Sequence, residues 1–355
     1  MLIIMPPEEE DHVREPKRAV LLAGESNAQD MLYDRAASAA GSLAQSLDLA
    51  VDVGASAPQP GAGATVTLWE TLATLAASDL SVARTVEPHL DAIAILHQAE
   101  HPVAPGSWGV FAAEGPGTRL EAKPNHDGAW LLTGRKPWCS LAGKLDHAIV
   151  TAHVSGGERR AFSIDLRQLG VHATPGTWVS RGLTAVDSGP VDFDAASATP
   201  VGADNWYLRR DGFAWGGLGV AACWYGGAVG VARRLLRSVG ERTPDQLALM
   251  HLGDVDRHLH AARVALVSAA ADIDTGRAAG APGGLLAARV RGIVAEAAEA
   301  VLATVGHGLG PAPLVLEEDH ARRVADLQVY LRQHHAERDA AALGRHLQET
   351  GSAPW

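Results

Sequence analysis

The sequence predicts an α+β fold in three parts: a helical N-terminal domain over residues 1–103, a middle β-barrel or sandwich domain over 104–205, and a C-terminal four-helix bundle over 206–355. Three observations predict it. The first hundred residues are Ala- and Leu-rich with few breakers. From about Pro102 to Pro200, short alternating runs are cut by Gly, Pro and Asp, the texture of an all-β domain. From Phe213 to Gln348, four blocks of helical period (213–239, 244–279, 283–305 and 317–348) are joined by RSVGERTPDQ, GRAAGAPGG and GHGLGPAP. Long amphipathic blocks with short Gly/Pro joints describe an antiparallel bundle.

Taken in order, residues 1–15 form an acidic lead. Helix is expected from Arg18 to about Ala50, and residues 51–65 read as a loop. Leu68, Leu72, Leu75 and Leu80 recur at helical spacing. Asp79 opens a second helical run, which Pro88 is expected to joint. The strand pieces are SWGVFAA, RLEAKP, AWLLTG, HAIVTAHV, RRAFSIDL, GVHATPG and GPVDFDAASATPVG.

Composition narrows the function. With 355 residues, 47% hydrophobic and 20% charged, the chain is globular. A net charge of −11 argues against a partner rich in phosphates. Cys139 and Cys223 make neither a disulfide framework nor a metal-ligand spacing. His251, His258 and His260 share a helical block, but no acidic ligand completes a metal site, and none is expected. The N-terminus lacks the pattern of a signal peptide, and no apolar run spans a bilayer, so a cytoplasmic protein is expected.

The stretch Gly128–Val154 concentrates the chemistry. Two alternating segments flank Thr133-Gly134-Arg135-Lys136, a turn-like interruption, and Trp138, Cys139 and Ser140 follow at one bend. An indole can cover a flat ring while a hydroxyl bonds its edge. A Trp in a strand also serves as core, and the pattern leaves both roles open.

Several strings, agreeing in order, resemble the acyl-CoA dehydrogenase superfamily from about Leu68 to Gly344. WGVFAAEGPGT is similar to its first flavin-contacting segment, and GRKPWCS to the second. GPVDFDAASATPVG is similar to the strand that closes its β domain, and YGGAVGVARRLL to its first bundle helix. The resemblance implies FAD between the β domain and the bundle. Ala112, Ala113, Gly117, Thr118, Trp138, Cys139 and Ser140 would contact it, with Ser140 stabilising charge at its polar edge. Gly306 and Gly308 sit where the family has a glycine-rich loop on the cofactor pyrophosphate; a plain helix–helix turn fits the same glycines.

The family's dehydrogenases take the α-proton of an acyl thioester with a carboxylate as hydride passes to flavin N5. Here the matching position, counted from Ala325-Asp326, falls on His334, with His335 beside it and Glu337 almost a turn later. His334 is therefore the candidate catalytic base; as ordinary surface residues, the pair would have no such role. Trp224 and Tyr225 occupy the alternative base site, Ala221 replaces a bundle Arg, and RSVGERTPDQ lacks the Phe of the adenosine clamp.

Three functions stay open. The first is an FAD-dependent α,β-dehydrogenation of an acyl thioester, serving an electron-transfer protein. The second is a flavin-dependent monooxygenase using reduced flavin and O2, with a separate flavin reductase. The third is a non-catalytic member acting as a binding or assembly partner. A homodimer or homotetramer is expected under each.

Overall fold

The computed structural model describes residues 18–23, 27–125, 128–241 and 243–351. The acidic lead at residues 1–15 lies outside them. Helices α1 (Asn27–Ala39), α2 (Leu43–Gly54), α3 (Thr65–Ser78) and α4 (Leu80–Gln98) come first. Strands β1 (Trp108–Phe111), β2 (Leu120–Pro124), β3 (Trp130–Lys136), β4 (His147–His153), β5 (Arg159–Asp165), β6 (Val171–Ala173) and β7 (Val191–Val201) follow. The last part holds α5 (Trp206–Arg209), α6 (Asp211–Gly240), α7 (Gln246–Asp274), α8 (Ala281–Leu309), α9 (Ala312–Leu316), α10 (Glu318–Tyr330) and α11 (Glu337–Thr350).

Side-chain bonds set several helix starts. Ser42 accepts the Gln45 amide at the head of α2, and Asp79 accepts the Val82 amide at the head of α4. Asp274, at the end of α7, accepts the Gly63 and Thr65 amides ahead of α3. That bond ties the N-terminal helices to the C-terminal ones. Asp79 also holds Arg322 of α10 at 2.7 Å, which fixes α10 over α4.

All seven expected strand pieces are strands. Strands β2, β3, β7, β5 and β4 pair in a closed ring, with β1 on β4 and β6 on β7. Closure leaves no open edge in that ring. Alternation puts Leu132, Val150, Phe162 and Phe193 inside. In the C-terminal part, α6 packs on α8, α7 and α3. At Gly226, a Cβ would fall inside the van der Waals radius of the Ala73 carbonyl oxygen, so the α3–α6 crossing needs glycine there.

Four expectations are corrected. Pro88 does not joint a helix: α4 runs through it from Leu80 to Gln98, held by burial between α2, α6 and β1. Residues 51–65 are only partly loop, because α2 extends to Gly54. Thr133–Lys136 is no turn; it continues β3 across a bulge, with Gly134 at φ 122° beside the Arg119 carbonyl. The block 317–348 is not one helix. It breaks between Tyr330 and Glu337, where His334 is extended and Ala336 is left-handed at φ 45°. Asp339 reaches back to the His335 amide and starts a new helix there.

Candidate active site

The site forms where the end of β3 meets α4 and the end of α10. Alternation along β3 turns Lys136 into the barrel, and its Nζ donates to Glu114 Oε1 at 2.7 Å and Thr151 Oγ1 at 3.0 Å. Burial pulls the Lys136 ammonium below its ordinary range, and Glu114 offsets part of that. Thr151 in turn donates to the Ala112 carbonyl. A Cβ on Gly115 would lie 3.1 Å from Pro137. The two sequence segments expected to hold a flavin are thus brought side by side.

At the bend the three residues part company. Trp138 is left-handed at φ 58° and 59% exposed. Cys139 turns into the core, its Sγ near the Lys136 carbonyl and its amide donating to the Gly189 carbonyl. Burial pushes its thiol up to about 12, so it stays protonated and inert. Ser140 turns back toward the helices, its Oγ 2.8 Å from Ser188 Oγ and 3.3 Å from Arg84 Nη2.

Of the remaining expected contacts, Ala112 is half-buried and Ala113 exposed at the end of β1. Gly117, at φ 71°, is exposed in the following turn, and Thr118 spends its hydroxyl on the Gly115 carbonyl there. Gly306 and Gly308 are not in a loop; both lie within α8, which ends at Gly310. Gly308 faces Leu235 and His251. Both sit at least fifteen residues, roughly 22 Å of helix, beyond Arg291.

Opposite Ser140 stands a buried polar chain. Arg84 Nη1 is 3.3 Å from Glu87 Oε2, and its guanidinium lies 5.7 Å from the Tyr330 ring. Tyr330 meets Trp224 edge-on at 6.4 Å. Arg291 covers Trp224 at 4.6 Å, and the His334 ring meets it at 6.1 Å. His334 is turned inward, with its Nε2 3.6 Å from Asp339, while His335 is exposed. Burial pulls the His334 imidazole below its ordinary value, with Asp339 opposing. Burial also pushes the Glu87 carboxyl up to about 7, although Arg84 pulls it down. Trp224 Nε1 is buried without a hydrogen-bond partner, and the Tyr330 hydroxyl lies by Glu87 and Cys223.

Arg84, Glu87, Ser188, Tyr330 and Arg291 are not among the residues expected from the sequence. A signal existed for two of them: Arg84 and Glu87, with Asp91, lie at helical spacing in α4, whose apolar residues are buried nearly all round. Charges on such a helix are costly unless paired or used. Nothing local marks Tyr330 or Arg291. Among the described residues no group of His, Cys, Asp and Glu could hold a metal ion, and no helix is long and apolar enough to cross a membrane.

No protein-family model and no curated protein matches the chain. Solved structures do. A KijD3 structure with FMN and dTDP-3-amino-2,3,6-trideoxy-4-keto-3-methyl-D-glucose aligns at TM-score 0.77 and 20% identity, over 93% of this chain and 95% of that one. Dibenzothiophene monooxygenase TdsC from Paenibacillus sp. A11-2 aligns at TM-score 0.77 and 16% identity, over 93% and 98%; it has also been solved with FMN bound. Nitrososynthase from Micromonospora carbonacea var. africana aligns at 0.71 and 18%, over 88% and 94%. The chain has the fold of these proteins. The likeness runs over 88–93% of this chain.

Proposed function

We propose that this chain is a flavin-dependent monooxygenase that uses reduced FMN, delivered by a separate reductase, and O2. The residues fit a flavin. An exposed indole and an inward hydroxyl stand at one strand bend, and one buried donor, Trp224 Nε1, lacks a partner nearby. Such donors carry a cost that a bound ligand or water relieves. FMN suits the chain better than FAD, because RSVGERTPDQ lacks the Phe of an adenosine clamp and Gly306 and Gly308 are locked in a helix. The relatives solved with FMN support the same choice.

When bound and reduced, the flavin would supply two electrons to O2, of which one oxygen atom would go to the substrate and the other leave as water. The chain's residues do the rest. Trp138 covers a ring face, and Ser140, backed by Ser188 and Arg84, bonds the polar edge. Tyr330 and Trp224 wall the substrate side and exclude water. His334, neutral through burial, is placed to accept a proton behind Trp224.

The observation that carries this reading is the make-up of the wall that the last helices give the site. Residues 327–336, LQVYLRQHHA, contain no carboxylate, and Glu87, the carboxyl that Arg84 links to Ser140, stands behind Arg84 on α4 and not on this wall, whereas removal of an acyl α-proton relies on a carboxylate facing the substrate. The test is a reaction of the purified protein with FMN, an NADH-driven flavin reductase and isotopically heavy O2. Indole, which TdsC binds, is the first probe. Heavy oxygen in the product supports the proposal. Anaerobic bleaching of bound flavin by an acyl-CoA overturns it in favour of dehydrogenation, and a chain that takes up no flavin overturns it in favour of a binding partner. We further propose that the protein works as a homodimer or homotetramer.

A further inference from the structure

We infer that Glu87 is the proton-handling carboxyl of the flavin site, with Asp91 and the small cavity between α3, α4 and α6 as its outlet to solvent. The inference rests on the flavin reading above.

The geometry is that of a connected path. Glu87 is 8% exposed and sits one helical turn from Arg84 on α4. Arg84 bridges it to Ser140, with 3.3 Å on each side. A change in the charge on Glu87 is thereby felt at the hydroxyl that faces the flavin edge. On its other side Glu87 borders a cavity of about 30 Å³, walled by Trp69, Leu72 and Trp215 and reaching Asp91. That is room for a water molecule, which the carboxyls of Glu87 and Asp91 would hold. Asp91 lies one further turn along α4; its side chain is 22% exposed and 3.7 Å from Arg210. One end of the path is buried beside the site and the other reaches water.

The groups that face Glu87 come from every element around it: Arg84 and Asp91 from α4, Tyr330 from α10, Arg291 from α8, Cys223 from α6 and Tyr207 from α5. Burial outweighs the two guanidinium groups and lifts the carboxyl to about 7. Glu87 can therefore exchange a proton at neutral pH. A proton released at the flavin site, its electron pair staying with the group that loses it, is taken up by the Glu87 carboxylate. The proton then passes by way of the cavity water toward Asp91, and the carboxylate is restored.

Two readouts test this without a known substrate. The first is infrared titration of the flavin-free protein. The wild type minus Glu87→Gln difference spectrum should hold a protonated-carboxyl band that fades with a midpoint near pH 7; a difference spectrum without that band, or with a midpoint near the ordinary carboxyl value, overturns the inference. The second is the visible spectrum of bound oxidised FMN across the same pH range. It should shift with the same midpoint in the wild type and stay still in Glu87→Gln; a pH-independent wild-type spectrum overturns the link through Arg84. Should Glu87→Gln not fold, Glu87→Asp must move both midpoints, and unmoved midpoints count against Glu87. If the wild type takes up no FMN, the functional reading falls and the role of Glu87 with it. The infrared titration separates that failure from a failure of Glu87 alone.

Discussion

The rim of the barrel and the end of α10 face each other across the site, and they obey different rules. At the rim, period-two alternation ends with the last hydrogen-bonded pair, at Lys136, and the left-handed Trp138 resets the order of the side chains. Lys136 points in, Trp138 out, Cys139 into the core and Ser140 toward α4; Lys136 is tied to a partner within the barrel, Cys139 to the end of β3, and Ser140 to Ser188 and Arg84. At the end of α10, local periodicity says helix through His334 and beyond, yet the chain breaks at Leu331–Ala336. There the competing interactions are tertiary: His334 on Trp224, and the Gln333 carbonyl accepting from Arg291. Strand order travels with the backbone, whereas a helix end is set by what it lands on.

The predictions sharpen that contrast, from the largest effect down. Arg84→Ala removes the cation that holds Glu87 and Ser140 and should cost about 3 kcal/mol in urea unfolding above pH 7, where the buried Glu87 carboxyl is ionised, the range for breaking a buried pair. Loss of under ~1 kcal/mol would mean that the pair behaves like a surface one.

The pH dependence of stability has a worked sign. The folded state keeps the Glu87 proton up to about pH 7, against an ordinary value of 4.5. Between those values the folded state binds more protons than the unfolded one, so Glu87 makes stability fall as pH rises. Subtracting the Glu87→Gln curve from the wild type should expose a downward slope from about pH 4.5 to 7, on the order of 3 kcal/mol in all. His89, two residues along, has the opposite sign. Burial drops it to about 4 from 6.5, so its contribution is lost as pH falls from 6.5 through 4. A wild-type profile alone would mix the two; the difference curve separates them.

Gly226→Ala pushes a methyl group into the Ala73 carbonyl at the α3–α6 crossing and should cost roughly 1–3 kcal/mol in thermal unfolding. Asp339→Ala frees the His335 amide and should cost about 1 kcal/mol, the usual worth of a helix-start bond. It should also raise hydrogen exchange at the head of α11 and leave FMN affinity unchanged. A drop in affinity would mean that the α10–α11 joint shapes the cofactor site as much as the rim does.

Much of this was readable from the chain. The seven strands announced themselves through alternation and punctuation, and three long helices through their period and Gly/Pro joints. Trp138 and Ser140 stood out because a strand bend exposes side chains in a known order. What escaped is what depends on distant partners. Pro88 looked like a break because its missing amide is a local fact, while the burial that keeps α4 straight is not. Gly306 and Gly308 looked like a loop because glycine suits one, yet they are helical and Gly310 makes the stop. Arg84 and Glu87 were hidden in a helix that reads as core, and Tyr330 becomes part of a site only once α10 lies over α4.

The central claim is that the barrel rim holds FMN against α4 and α10. Its most direct test is a fluorescence and absorbance titration of the purified protein with FMN and, separately, FAD. The account expects saturable binding that favours FMN and weakens about tenfold in Ser140→Ala, the loss of one hydrogen bond to the ring, with a further loss in Trp138→Ala and none in His334→Ala. Wild-type protein that leaves the FMN spectrum unperturbed, or that binds FAD more tightly than FMN, would contradict it.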